Sequence, residues 1–197
     1  MRTTVETASL PAARPFGHRV AFTVLAIAGT ISACAGSGPA MVSYSQAALP
    51  ASVQVPSGHA VVMKTMASGD ITWQCRAKAD MAGQYEWAFA WPDAALRDDR
   101  GQRVGKYYGP PATWESVDGS RITGTQLAVA PGGAGNIPLQ LVKADPAMGA
   151  GAMQGVSHIQ RVNTRGGVAP AAGCAAANMG EKRVVQYSAD YIFWRAV

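Results

Sequence analysis

Apolar and polar residues alternate with a period of two along much of this chain, which is the signature of a half-buried strand. The alternation is cleanest in Ile71-Thr72-Trp73-Gln74-Cys75-Arg76, where Ile71, Trp73 and Cys75 share one face. It returns in Tyr85, Trp87, Phe89 and Trp91, with Glu86, Ala88 and Ala90 between them. That spacing assigns the aromatic residues to a core face rather than to an exposed platform. A β-prone run at 60–66 precedes the turn expected at Ala67-Ser68-Gly69-Asp70, and Pro92 is expected to end the second aromatic strand. Asp98-Asp99-Arg100-Gly101 and Val117-Asp118-Gly119-Ser120 carry Asp or Gly suited to tight hairpin turns. They separate strands near 94–96, 104–108, 113–115 and 121–127. Further strands are expected at 137–143, 157–163 and 184–194, with Gly-rich loops between them at 131–135, 148–155 and 166–179. Few stretches sustain a helical period, and the best candidate is a short turn near Asp145 to Met148. The pattern predicts one all-β domain, an antiparallel sandwich or barrel of about nine strands.

The first quarter of the chain reads differently. Residues 20–33 are uncharged and mostly apolar, behind Arg2, Arg14 and Arg19 with Glu6 the one acid. A run of that length fits a signal h-region and is too short for a membrane span, which needs about 20 apolar residues. It ends in Ile31-Ser32-Ala33-Cys34, which resembles a bacterial lipobox. The pattern predicts a signal peptide over 1–33 and a lipid on Cys34, followed by a Gly/Ser/Ala-rich tether over 34–48 and a β domain over 49–197. Cleavage near Ala33 or Ala35 without a lipid, and a buried helix, are the competing readings of this run. The expected location is the bacterial cell envelope, on the outer membrane facing the periplasm.

Cysteine parity bears on the same question. The chain holds Cys34, Cys75 and Cys174. A lipid on Cys34 leaves an even pair, and two cysteines in an oxidising compartment are expected to form a disulfide. Neither has the CxxC or His companions of a metal or haem site, so no metal and no cofactor is expected. Losing Arg2, Arg14, Arg19 and Glu6 lowers the formal charge from +5 to +3, and the remaining cations are scattered. No basic stripe suggests nucleic acid.

Several segments are distinctive when taken together. They are Gln84-Tyr85-Glu86-Trp87-Ala88-Phe89, Gly109-Pro110 with Thr113-Trp114-Glu115, Asp118-Gly119-Ser120 and Ile137-Pro138-Leu139. Further along come His158-Ile159-Gln160-Arg161-Val162-Asn163-Thr164-Arg165-Gly166-Gly167 with Pro170 and Cys174, and Tyr187-Ser188-Ala189-Asp190-Tyr191. With these segments the chain resembles a bacterial and fungal family known as domain of unknown function 3455. The resemblance implies an exported protein and supplies no activity. Tyr107 stands where relatives often carry a His. Some relatives bear a malate-dehydrogenase label, but the spacing in Gly149-Ala150-Gly151-Ala152-Met153-Gln154-Gly155 is not that of a dinucleotide-binding loop.

Three functional readings stay open. The first is a non-catalytic envelope domain that binds a ligand or partner through Trp114, Glu115, Arg161 and Arg165. Trp114 follows Gly109-Pro110-Pro111 and could sit at a loop rim. In Asn163-Thr164-Arg165-Gly166-Gly167 the glycines permit close approach of a ligand, and Arg161 with Arg165 could hold an anion. The second is a hydrolase-like enzyme using Glu115, Asp190 or His158. The third is a structural envelope protein that contacts partners through an exposed apolar patch.

Overall fold

A computed structural model describes residues 43–197, and the signal and lipidation expectations at 1–33 and Cys34 lie outside them. Eight antiparallel strands follow one another around a closed barrel. They are β1 (His59–Ala77), β2 (Tyr85–Arg97), β3 (Arg103–Tyr108), β4 (Thr113–Ser116), β5 (Arg121–Ala130), β6 (Leu139–Ala144), β7 (Val156–Gly166) and β8 (Lys182–Ala196). Among the described residues helix is confined to single 3-10 turns at Ala51–Val53 and Ala176–Asn178. The all-β expectation holds, and its barrel branch is the one adopted.

The ten expected segments become eight strands because two expected breaks are not breaks. Ala67-Ser68-Gly69-Asp70 is the middle of β1, paired with Leu96 to Asp93 on one side and Ala189 to Gln186 on the other. Gly69 belongs there for a packing reason. A Cβ at that position would lie 2.1 Å from the Asp93 carbonyl oxygen, so only glycine lets β1 and β2 approach this closely. Pro92 likewise lies inside β2, opposite Ile71. Partnership with β3 begins only at Asp93, so its missing donor removes no bond to β3.

The inner face of the barrel carries the main core: Ile71, Leu96, Tyr107, Trp114, Ile122, Ile159, Tyr191 and Phe193, all 5% exposed or less. A second apolar cluster lies on the outer wall. Val61, Leu141, Val162, Ile192 and Trp194 face outward there and are covered by Val53 and Val55 of the segment preceding β1, with Tyr44 and Leu49 packed against them. Each fully buried side chain of this size is worth about 1.5–3 kcal/mol. Packing therefore begins before Leu49, inside the stretch whose composition reads as tether.

A hydrogen-bonded clasp fixes this strap. Gln160 has no exposed surface, although its place on β7 faces outward. It donates to the Val53 carbonyl at 2.7 Å and the Gln46 Oε1 at 2.9 Å, and accepts from the Trp194 Nε1 at 2.9 Å. Gln46 completes the clasp, donating to the Val55 carbonyl at 2.8 Å and accepting from its N–H at 2.7 Å.

β1, β2 and β8 run beyond the barrel as a three-stranded extension. The loop between β7 and β8 folds over it and is pinned by a Cys75–Cys174 disulfide, as cysteine parity predicted. Trp73 and Trp87 donate their indole N–H groups to the Gly167 and Ala172 carbonyls of that loop. A bulge at Thr72/Trp73 breaks the expected aromatic face. Trp73, Trp87 and Phe89 share one side, while Trp91 pairs with Thr72 on the other, where Lys182 sits over its ring at 4.8 Å. Phe89 is 49% exposed, so it is not a core residue.

Candidate functional site

Period two along β7 would place Arg161 and Arg165 on one face, as a pair able to grip one anion. The strand does not keep that period. Val162 pairs with Asp190 and Arg165 with Ser188, so one extra residue is inserted between them. Asn163 takes up the insertion at φ 52°, in the left-handed region that Asn tolerates better than most residues. Its side chain donates to the Asp190 carboxylate at 2.8 Å. The bulge turns the two arginines to opposite faces.

Arg161 points inward, opposite Tyr191, and its guanidinium donates to the Pro138 carbonyl at 3.0 and 3.1 Å. Above it lies an aromatic stack. Tyr107 and Trp114 are stacked at 4.7 Å, and Tyr191 meets them at 5.0 and 5.6 Å. Burial pushes the Tyr107, Tyr187 and Tyr191 hydroxyls far up, and the nearby Arg161 charge opposes that only in part. Trp114 is 1% exposed, so it is inside the barrel and not at a loop rim. Its neighbour Glu115 faces outward, accepting from the Tyr108 hydroxyl at 2.7 Å and paired with Lys106 at 3.4 Å. The Tyr108 bond, aided by the Lys106 charge, holds its carboxyl below the ordinary range.

Arg165 points outward into a polar groove. The groove crosses β1, β8 and β7 and holds a depression of about 790 Å³ beside another of about 490 Å³. Its floor is made of small residues, Ala67, Ser68, Gly69, Ser188 and Ala189. Asp70 and Gln186 lie at one end, Asn163 and Asp190 at the other. Asp190 is already satisfied by Lys64 at 3.3 Å and by Asn163. Arg165 and Asp70 have no ion-pair or hydrogen-bond partner among the described residues. Of the sequence candidates, then, Trp114 and Arg161 are joined through Tyr191 inside the barrel. Glu115 and Arg165 stand apart on its outer surface.

The three groups proposed for hydrolysis do not converge. His158 pairs with Trp194 on β8, four positions from Asp190, or about 13 Å at 3.3 Å per residue. It packs edge-on against His59 at 4.7 Å. Burial, then the charges of His59 and Lys143, lower its pKa. Glu115 lies on β4, which pairs with β3 and β5 and not with the strands carrying His158 and Asp190. Asp118, read as a turn residue, is one: it accepts from the Ser120 hydroxyl at 2.6 Å and from the Ser120 and Ala152 N–H groups. These bonds hold its carboxyl down at about 2. Among the described residues no group of three His, Cys, Asp or Glu side chains is placed to hold a metal ion, and no helix is long and apolar enough to cross a membrane.

Sequence reasoning missed Gln46, Gln160 and the groove floor. A glutamine at an outward strand position carries no mark of burial, and small residues read as a turn when their strand context is unseen.

The chain belongs to the family described as Protein of unknown function (DUF3455), whose model matches residues 56–195. No curated protein and no solved structure matches it.

Proposed function

We propose that this protein is a non-catalytic ligand-binding domain of the bacterial cell envelope, held to the membrane by a lipid on Cys34. Its ligand would be polar and carry a carboxylate. The observation that supports this reading is the unpartnered Arg165 guanidinium over a floor of small side chains. A flat floor leaves room for a ligand to lie along the strands. Ser68, Ser188, Gln186 and Asn163 offer it hydroxyl and amide groups, and Arg165 offers two parallel donors to a carboxylate. The separation of Glu115, Asp190 and His158 gives the hydrolase reading no support, since acid–base work needs its groups within reach of one substrate.

Titration calorimetry with an oligouronate and a neutral oligosaccharide of equal length tests the groove. The acidic ligand binds and the neutral one binds more weakly. Arg165→Ala weakens acidic binding by about 10- to 150-fold, the worth of a charge-assisted hydrogen bond, while Arg165→Lys retains part of it. Equal binding of the two ligands, or an unaffected Arg165→Ala variant, refutes the reading. The anchor has its own test: Cys34→Ser moves the protein from the membrane fraction to the soluble one, and unchanged retention would sink it.

A further inference from the structure

The three-stranded extension leaves the outer edge of β2 without a strand partner among the described residues. β2 is partnered by β1 from Tyr85 onward, but on its other side β3 joins only at Asp93. Residues 85–92 thus border no strand on that side among the described residues. Which of their backbone groups face the gap follows from the ladder. The Cys75 N–H donates to Glu181 at 2.9 Å and its carbonyl accepts from Gly180 at 2.8 Å, both on the side away from β2. Cys75 is opposite Trp87, so that pair exchanges no bonds, and the Trp87 N–H and C=O point outward. By the same alternation Tyr85 and Phe89 also point outward. Lys78 donating to the Gln84 carbonyl at 2.9 Å agrees, since it places even-numbered residues on the bonded side.

Natural sheets blunt such edges with charge, proline or a bulge. Here Tyr85-Glu86-Trp87-Ala88-Phe89 has one charged residue, and Phe89 is 49% exposed. The segment is also complementary to itself. Set antiparallel to a second copy with Trp87 on the twofold axis, each outward-pointing residue meets another. Trp87 meets its own image, and Tyr85 meets Phe89 of the second copy on both sides of the axis. Each of these pairs can exchange two backbone bonds. Glu86 then faces Ala88 of the second copy, so no like charges oppose. An axis on Glu86 would bring two carboxylates together, and an axis on Ala88 would draw in the bulged Ala90.

We propose that the free edge of β2 joins two copies of this chain into a twofold dimer with one sheet running through both extensions. The interface is distinct from the Arg165 groove, which lies across β1, β8 and β7.

Sedimentation velocity of the full-length chain, in detergent matched to the buffer density, tests this across a concentration series. The wild type sediments as a concentration-dependent dimer. Ala88→Glu sets two glutamates against Glu86 of the opposite copy and weakens the dimer about tenfold. Glu86→Lys combined with Ala88→Glu turns both contacts attractive and restores it. Circular dichroism and thiol titration verify that each variant keeps its fold and its disulfide. A wild type that stays monomeric, an Ala88→Glu variant that dimerises unchanged, or a folded double variant that stays monomeric each overturns the proposal.

Discussion

Replacing Gln160 with leucine removes the centre of the clasp between the strap and the barrel wall. The shape of the side chain is nearly kept, so the effect isolates its hydrogen bonds. Two groups lose their partners where water does not reach: the Trp194 indole N–H, on a residue 6% exposed, and the Val53 carbonyl, on a residue 0% exposed. Gln46 keeps its bond from the Val55 N–H. An orphaned buried group costs about 1–3 kcal/mol, so the loss is about 2–6 kcal/mol before the gain from a more apolar side chain. A net cost of about 3 kcal/mol lowers the melting temperature by about 6–12 °C for a domain of this size. Thermal unfolding followed by tryptophan fluorescence measures it, and hydrogen exchange locates it. Protection should fall first over residues 44–55. Adding Trp194→Phe removes the orphaned donor and recovers about 1 kcal/mol, a coupling expected of residues in contact. A cost under about 0.5 kcal/mol, well below that of one buried orphan, would refute the clasp. So would a loss of protection spread evenly over the barrel.

Two other outcomes follow from the same structure. Cys75→Ser with Cys174→Ser opens a crosslink spanning 99 residues and should cost about 2–4 kcal/mol in denaturant unfolding, with about 4.7 kcal/mol as the chain-entropy ceiling; an unchanged midpoint would contradict it. His158 titrates below its ordinary value in the folded domain, so the unfolded chain takes up its proton first. Stability should therefore fall as the pH drops through about 6.5, the ordinary histidine value, towards the lower folded one, and His158→Gln should flatten that slope in melts across the pH range.

What the sequence made legible was local. Alternation located the strands, and Asp118-Gly119 marked a true turn. The family segments and the cysteine pair carried over to the domain and its disulfide. The errors arose where tertiary pairing overrides a local signal. Gly69 reads as a turn residue until β2 is seen to crowd it, and Pro92 reads as a terminator until β3 is seen to begin one residue later. The bulges were the deeper difficulty. A single inserted residue reverses every side chain beyond it. Asn163 thereby parts Arg161 from Arg165, and the bulge near Ala90 parts Trp91 from Phe89. Asn163 is the one residue that offered a hint, since it tolerates the backbone such an insertion needs. Trp114 followed the alternation of its own short strand into the barrel, against the loop-like residues before it.

The barrel is closed by the two strands that lie furthest apart in the chain. β1 pairs with β8 from His59–Ala196 to Gln74–Lys182, the longest seam in the sheet. A chain delivered from its N-terminus, whether from a ribosome or through a membrane, holds β1 without that neighbour until β8 arrives. β8 is thus the keystone of the fold, and a chain that stops before it cannot close the ring. A truncation before Lys182 leaves β1 and β7 as open edges, so quality control in the cell has a simple mark of an unfinished molecule.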